Sequence, residues 1–148
     1  MHPLRFVRER LQVQRDRIKK RDCCTKDLSA YKDVWVFCEQ KKGVIQSISF
    51  ELLGEGKKLA KKLGCKLCAV ILGHDIEAKI EELSARGADK IYIIDDPVLK
   101  AYQDDPYTEV LVNLVGEYKP EIILCGATVT GRSLVSRVAV KIDAGLTA

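Results

Sequence analysis

The segment best equipped for chemistry is Gly126-Ala-Thr-Val-Thr-Gly-Arg132. Its two glycines permit close backbone approach or positive φ. Thr128 and Thr130 offer hydroxyls. A helical pattern follows, so the free N–H groups of its first turn and the Arg132 guanidinium favour an anion. A phosphate or a reduced flavin ring suits such a site. The same residues also suit a plain helix start, with Thr130 as cap and Gly126 as turn. Both readings stand on the residues alone.

Other reactive side chains form no set. Cysteines stand at 23, 24, 38, 65, 68 and 125. Cys38 and Cys125 lie in apolar runs and read as small buried hydrophobes. Cys65-Lys-Leu-Cys68 has the C-x-x-C form but leads into a strand. A redox pair normally opens a helix, whose dipole lowers the first thiol's pKa. The cysteine spacing matches no common zinc module, so no metal is expected. His74 ends a strand with no Ser or Cys partner for triad chemistry. Asp95, Asp96, Asp104 and Asp105 fit turns and helix starts better than a carboxylate dyad. There is no G-x-G-x-x-G after the first strand and no Walker A sequence. No catalytic residues are assigned.

The elements that must position the loop are regular from residue 33 onward. Val34–Cys38, Lys66–Leu72, Lys90–Ile94 and Glu121–Cys125 are short apolar, β-branched runs and read as strands. They are continuous and not alternating, so both faces are buried. Between them lie helical spacings: Ile45 to Leu63 closed by Gly64, Ile76 to Leu83 stopped near Gly87, Val110 to Tyr118 ended by Pro120, and Leu134 to Ile142. Glu39–Gly43 reads as a polar loop, and 98–106 as a loop with one helical turn. The order β-α-β-α-β-α-β-α with right-handed crossovers gives an open, doubly wound parallel α/β sheet. Such sheets bind ligands beyond the strand C-termini where strand order reverses. With order 3-2-1-4, the reversal lies between the first and fourth strands, under the loops 39–44 and 126–132.

The chain has 148 residues, 47% hydrophobic and 31% charged, a globular composition for one domain. The longest apolar run, Leu67–Leu72, is far short of the ~20 residues of a membrane span. No signal-peptide core is present, so a cytoplasmic location is expected. The net charge is +4, but residues 1–33 hold ten basic and five acidic side chains, and the rest fifteen and sixteen. The basic character belongs to a leader, residues 1–32, that reads as an amphipathic helix and linker. It gives no ground for nucleic-acid binding by the domain, residues 33–148.

Several pieces together resemble the N-terminal domain of the electron transfer flavoprotein alpha subunit. They are Trp35-Val-Phe-Cys-Glu-Gln40, Gly87-Ala-Asp89, Lys119-Pro-Glu-Ile-Ile-Leu124, Gly126-Ala-Thr-x-x-Gly-Arg132 and Gly145-Leu-Thr-Ala148. The resemblance implies an adenine nucleotide alpha-hydrolase-like (Rossmann-like) sheet of order 3-2-1-4-5. It implies a heterodimer with the beta subunit that takes electrons from flavin dehydrogenases, or in bifurcating members distributes them among several redox partners, by way of FAD. In the family, Gly-Leu-Thr-Ala leads into an FAD-holding second domain. The sequence stops at Ala148, so the expectation is that this chain alone does not hold FAD tightly. Carried over residue by residue, Gly126, Thr128, Gly131 and Arg132 are expected as cofactor neighbours. The alternative is a stand-alone, universal-stress-like module binding ATP or AMP, though its longer glycine pattern after the fourth strand is lacking.

Overall fold

A computed structural model describes residues 28–147. The expected leader helix lies outside them, and at the end of the expected linker Leu28–Ala30 forms a 3-10 turn. Four parallel strands form the main sheet: β1 (Val34–Cys38), β4 (Leu67–Gly73), β5 (Lys90–Asp95) and β6 (Ile122–Leu124). Their order is β5-β4-β1-β6, the 3-2-1-4 order expected. The described residues supply no fifth strand to this sheet.

The pleat sorts the continuous apolar runs onto two faces. Trp35 and Phe37 of β1 join Cys68, Val70 and Leu72 of β4 beneath α3 (Asp104–Tyr118) and α4 (Val129–Ile142). Val34, Val36 and Cys38 join Leu67, Ala69 and Ile71 beneath α1 (Ser47–Leu63) and α2 (Ile80–Ala85). Every residue of β1 and β4 is buried, which is why neither strand alternates. Trp35 anchors one face, its ring 4.9 Å from Tyr92. Gly64, at φ 66°, closes α1 as its spacing predicts.

Three boundaries differ from the sequence reading. The polar stretch after β1 is a hairpin, β2 (Gln40–Lys41) and β3 (Val44–Ile45). Lys42 and Gly43 make its two-residue turn with φ of 52° and 75°, the positive values a type I′ turn requires. A lysine at the first turn position hides this signal, since Asn or Gly usually marks it. Helix α3 starts at Asp104, earlier than the first apolar repeat at Val110, because its first turn is polar. Helix α4 starts at Val129, so only residues 125–128 are loop and Arg132 is already helical.

Candidate functional site

The site is built around the end of β1. Glu39 follows five buried residues and is itself only 7% exposed. Its backbone is fixed by the first turn of α1 and its approach: the Glu39 N–H donates to the Ser49 hydroxyl at 2.9 Å, and its carbonyl accepts from the Gln46 N–H at 2.9 Å. Its carboxylate runs across to the loop after β6. The Thr128 hydroxyl lies 2.8 Å from both Oε1 and Oε2. The same Thr128 oxygen accepts the Gly131 N–H at 2.9 Å, so Thr128, and not Thr130, caps α4.

This explains both glycines. A Cβ on Gly126 would sit 2.6 Å from Glu39 Oε1, and one on Gly131 would overlap the Gly126 carbonyl and sit 2.8 Å from Oε1. The loop closes around a carboxylate from the neighbouring strand, and that negative charge lies under the positive end of α4. Of the four expected residues, Gly126, Thr128 and Gly131 converge on Glu39. Arg132 is exposed on the first turn of α4, and among the described residues no carboxylate faces it.

Beside this loop a cleft of about 1120 Å³ opens over the C-terminal ends of β1 and β4. Phe37, Glu39 and Leu72 line it from the strands, Lys41 and Lys42 from the hairpin, and Thr128 from the loop. Gln40 ties hairpin to sheet: its amide donates to Leu72 O at 3.1 Å and accepts the Gly43 N–H at 3.0 Å. Tyr107 donates to Leu99 O at 2.9 Å beneath Lys100, another lining residue. Burial raises the Tyr107 phenol and also that of Tyr102, whose hydroxyl donates to Asp104 at 2.6 Å. Both stay protonated and work as hydrogen-bond donors.

His74 is not simply solvated. Its Nδ1 lies 3.2 Å from Asp95 Oδ1. Burial alone would raise the Asp95 carboxyl. The N–H groups of Ile76 and Asp75, together with His74, outweigh it and hold the carboxyl below its ordinary value. Asp96 caps the 3-10 turn Pro97–Leu99 through the Val98 N–H, and Asp104 and Asp105 open α3, as expected, whereas Asp95 ends β5. Burial pushes the Cys38, Cys68 and Cys125 thiols up to about 12, the reverse of a redox cysteine. No group of three His, Cys, Asp or Glu side chains that could hold a metal occurs among the described residues.

Residues 34–148 match the electron transfer flavoprotein domain. The chain belongs to the electron transfer flavoprotein family. It is 48% identical over 122 residues to the acryloyl-CoA reductase electron transfer subunit beta of Anaerotignum propionicum, covering 82% of this chain and 33% of that protein. It is 48% identical over 118 residues to the electron transfer flavoprotein subunit alpha of Clostridium acetobutylicum, covering 80% and 35%. Protein FixB of Azorhizobium caulinodans is also 48% identical over 122 residues, covering 80% and 33%. The chain thus spans about a third of the length of these relatives and matches the N-terminal domain of the alpha subunit. A universal stress protein solved in complex with cAMP shares the fold: TM-score 0.50 at 22% identity, over 76% of this chain and 91% of that one.

Electron transfer flavoproteins are flavoproteins, so the loop can be tested against a flavin. The hollow behind Gly126 and Gly131 is filled by Glu39. A cofactor phosphate at the α4 N-terminus would meet that carboxylate. The loop therefore does not fit a cradle beneath a flavin's phosphates.

Proposed function

We propose that this domain is the scaffold and docking part of an electron transfer flavoprotein alpha subunit that pairs with a beta subunit and serves flavin dehydrogenases or other redox partners. It has no catalytic set of its own. The match of residues 34–148 to the electron transfer flavoprotein domain, at 48% identity to a named alpha subunit, carries the reading. FAD belongs to the complete heterodimer and is not held tightly by this chain alone. The loop supports that division of labour: Gly126, Thr128 and Gly131 clamp it to Glu39, while Val129, 90% exposed, and Arg132 face outward. In this reading the first three shape the wall beside the flavin, and Arg132 presents a positive charge to the flavin or to a partner carboxylate.

Residues 1–32 act as a leader and 33–148 as the domain. No described helix is long and apolar enough to cross a membrane, in keeping with a cytoplasmic protein. FAD fluorescence quenching tests the division of labour. The 148-residue chain should leave FAD fluorescence unchanged at micromolar concentration. Saturable, tight one-to-one binding by this chain would overturn it.

A further inference from the structure

Exposed cations gather at the end of the sheet opposite the cleft. Lys32 precedes β1, Lys66 precedes β4, Lys119 precedes β6, Lys61 and Lys62 lie in the last turn of α1, and Arg86 follows α2. In a parallel sheet with helical crossovers these positions share one end, where the strands begin. Backbone bonds tie that end together: the Lys32 N–H donates to Lys119 O and the Val34 N–H to Lys66 O, each at 3.0 Å. All six residues are exposed, and none has an ion-pair partner among the described residues.

The carboxylates at that end do not cancel them. Asp33 is engaged by Lys90 Nζ at 3.0 Å and by the Lys66 N–H at 3.1 Å, and Asp89 accepts the Leu67 N–H at 2.9 Å. Glu117 and Glu121 flank Lys119, and α4 closes with one charge of each sign, Lys141 and Asp143. Over the cleft, by contrast, Asp75, Glu77, Asp96, Asp104 and Asp105 offset the lysines of the rim. The domain is polarised along its strands, although its fifteen basic and sixteen acidic side chains nearly balance.

The leader joins the domain at this same basic end. Residues 1–27 hold nine Lys/Arg and four Asp/Glu. They lead into the Leu28–Ala30 turn, just before the Lys32 bond to Lys119. Their sequence sets Leu4, Val7, Leu11 and Ile18 at helical spacing among the charges. Basic residues around an apolar stripe suit a lipid surface. The domain adds two exposed leucines, Leu28 at 67% and Leu63, between Lys62 and Lys66, at 45%.

We infer that this end of the domain and the leader together bind an anionic phospholipid surface. Cations spread over a whole end of the domain, with leucines among them, match a plane of headgroups above acyl chains better than a folded acidic protein. The cleft lies at the opposite end of the strands and stays open, so lipid binding does not depend on the docking role.

Vesicle co-sedimentation of the 148-residue chain tests it. The vesicles are phosphatidylcholine alone, or equal parts of phosphatidylcholine and phosphatidylglycerol. At roughly 50 mM salt the chain should bind the anionic vesicles about tenfold or more tighter than the neutral ones, and roughly 500 mM salt should remove most of that preference. Replacing Lys61, Lys62 and Lys66 together by Gln should weaken binding to the anionic vesicles about tenfold or more. Replacing Lys41, Lys42 and Lys100 by Gln takes the same charge from the opposite end and should change binding less than about twofold. All six lysines are exposed, so both variants keep the fold, which their melting temperatures check. The inference is overturned if the chain does not bind anionic vesicles at low salt, or if neutral vesicles bind it as tightly. It is also overturned if the first variant binds like the wild type, which leaves the leader as the whole contact, or if the two variants weaken binding equally, which leaves only net charge.

Discussion

Replacing Gly131 by Ala sets two local rules against each other. Gly131 lies in the first turn of α4, where alanine favours the helix by about 0.8–1 kcal/mol. Its Cβ, however, would overlap the Gly126 carbonyl and lie 2.8 Å from Glu39 Oε1. The Gly126 carbonyl is backbone and cannot rotate aside, so loop and helix must separate. Overpacking of this kind costs roughly 1–3 kcal/mol. Separation also pulls Thr128 from Glu39, and a buried acceptor left without its donor costs roughly 1–3 kcal/mol more. Net destabilisation is about 1–5 kcal/mol, a fall in melting temperature of roughly 4–20 °C for a domain of this size. Gly116 in α3 supplies the control, since a Cβ there meets nothing within 4 Å. Gly116→Ala should gain about 0.5–1 kcal/mol and melt a few degrees higher. Thermal unfolding of both variants by circular dichroism reads the difference. If Gly131→Ala melts at or above the wild-type temperature, the Glu39–loop closure does not hold the fold as argued.

Arg132→Ala removes an exposed charge that opposes the α4 dipole, so the isolated chain should be unchanged or up to ~1 kcal/mol more stable. In the intact heterodimer the same change should weaken subunit association or shift the flavin potential. Unfolding of the isolated chain with no effect on the heterodimer would make Arg132 structural. Asp95 has its carboxyl held below the ordinary value of about 4. Its contribution is complete above that value and is lost as the pH falls through the lower folded-state value. Urea unfolding between about pH 2 and 6 should show this acid limb, and Asp95→Asn should flatten it; an unchanged limb would refute the assignment. Of Cys38, Cys65, Cys68 and Cys125, a thiol reagent at neutral pH should modify Cys65 first, because burial pushes the other three up to about 12. Equal rates at all four would contradict this.

The strands were legible because parallel strands buried on both faces leave unbroken apolar runs, as at Val34–Cys38 and Leu67–Leu72. The doubly wound sheet followed from the alternation of strands and helices, while its strand order, and with it the two loops at the reversal, rested on the family resemblance. The importance of the Gly126–Arg132 segment was legible too, but not its internal logic. Which threonine caps a helix depends on where the helix begins, and Val129 gives no apolar signal because it faces solvent. Glu39 was passed over as the start of a polar loop. A carboxylate directly after five apolar strand residues is the signal that could have marked it, since it can escape burial only by leaving the sheet. Its partner, 89 positions away, is fixed by the β1–β6 pairing and by nothing local. The hairpin was hidden by Lys42 in a turn position that usually carries Asn or Gly.

The central claim is that the domain docks a beta subunit. Sedimentation velocity of the 148-residue chain mixed with the beta subunit encoded in the same genome tests it most directly. The account predicts a one-to-one complex that Arg132→Ala weakens, with neither subunit self-associating at the same concentration. Two independently sedimenting species at tens of micromolar would contradict it.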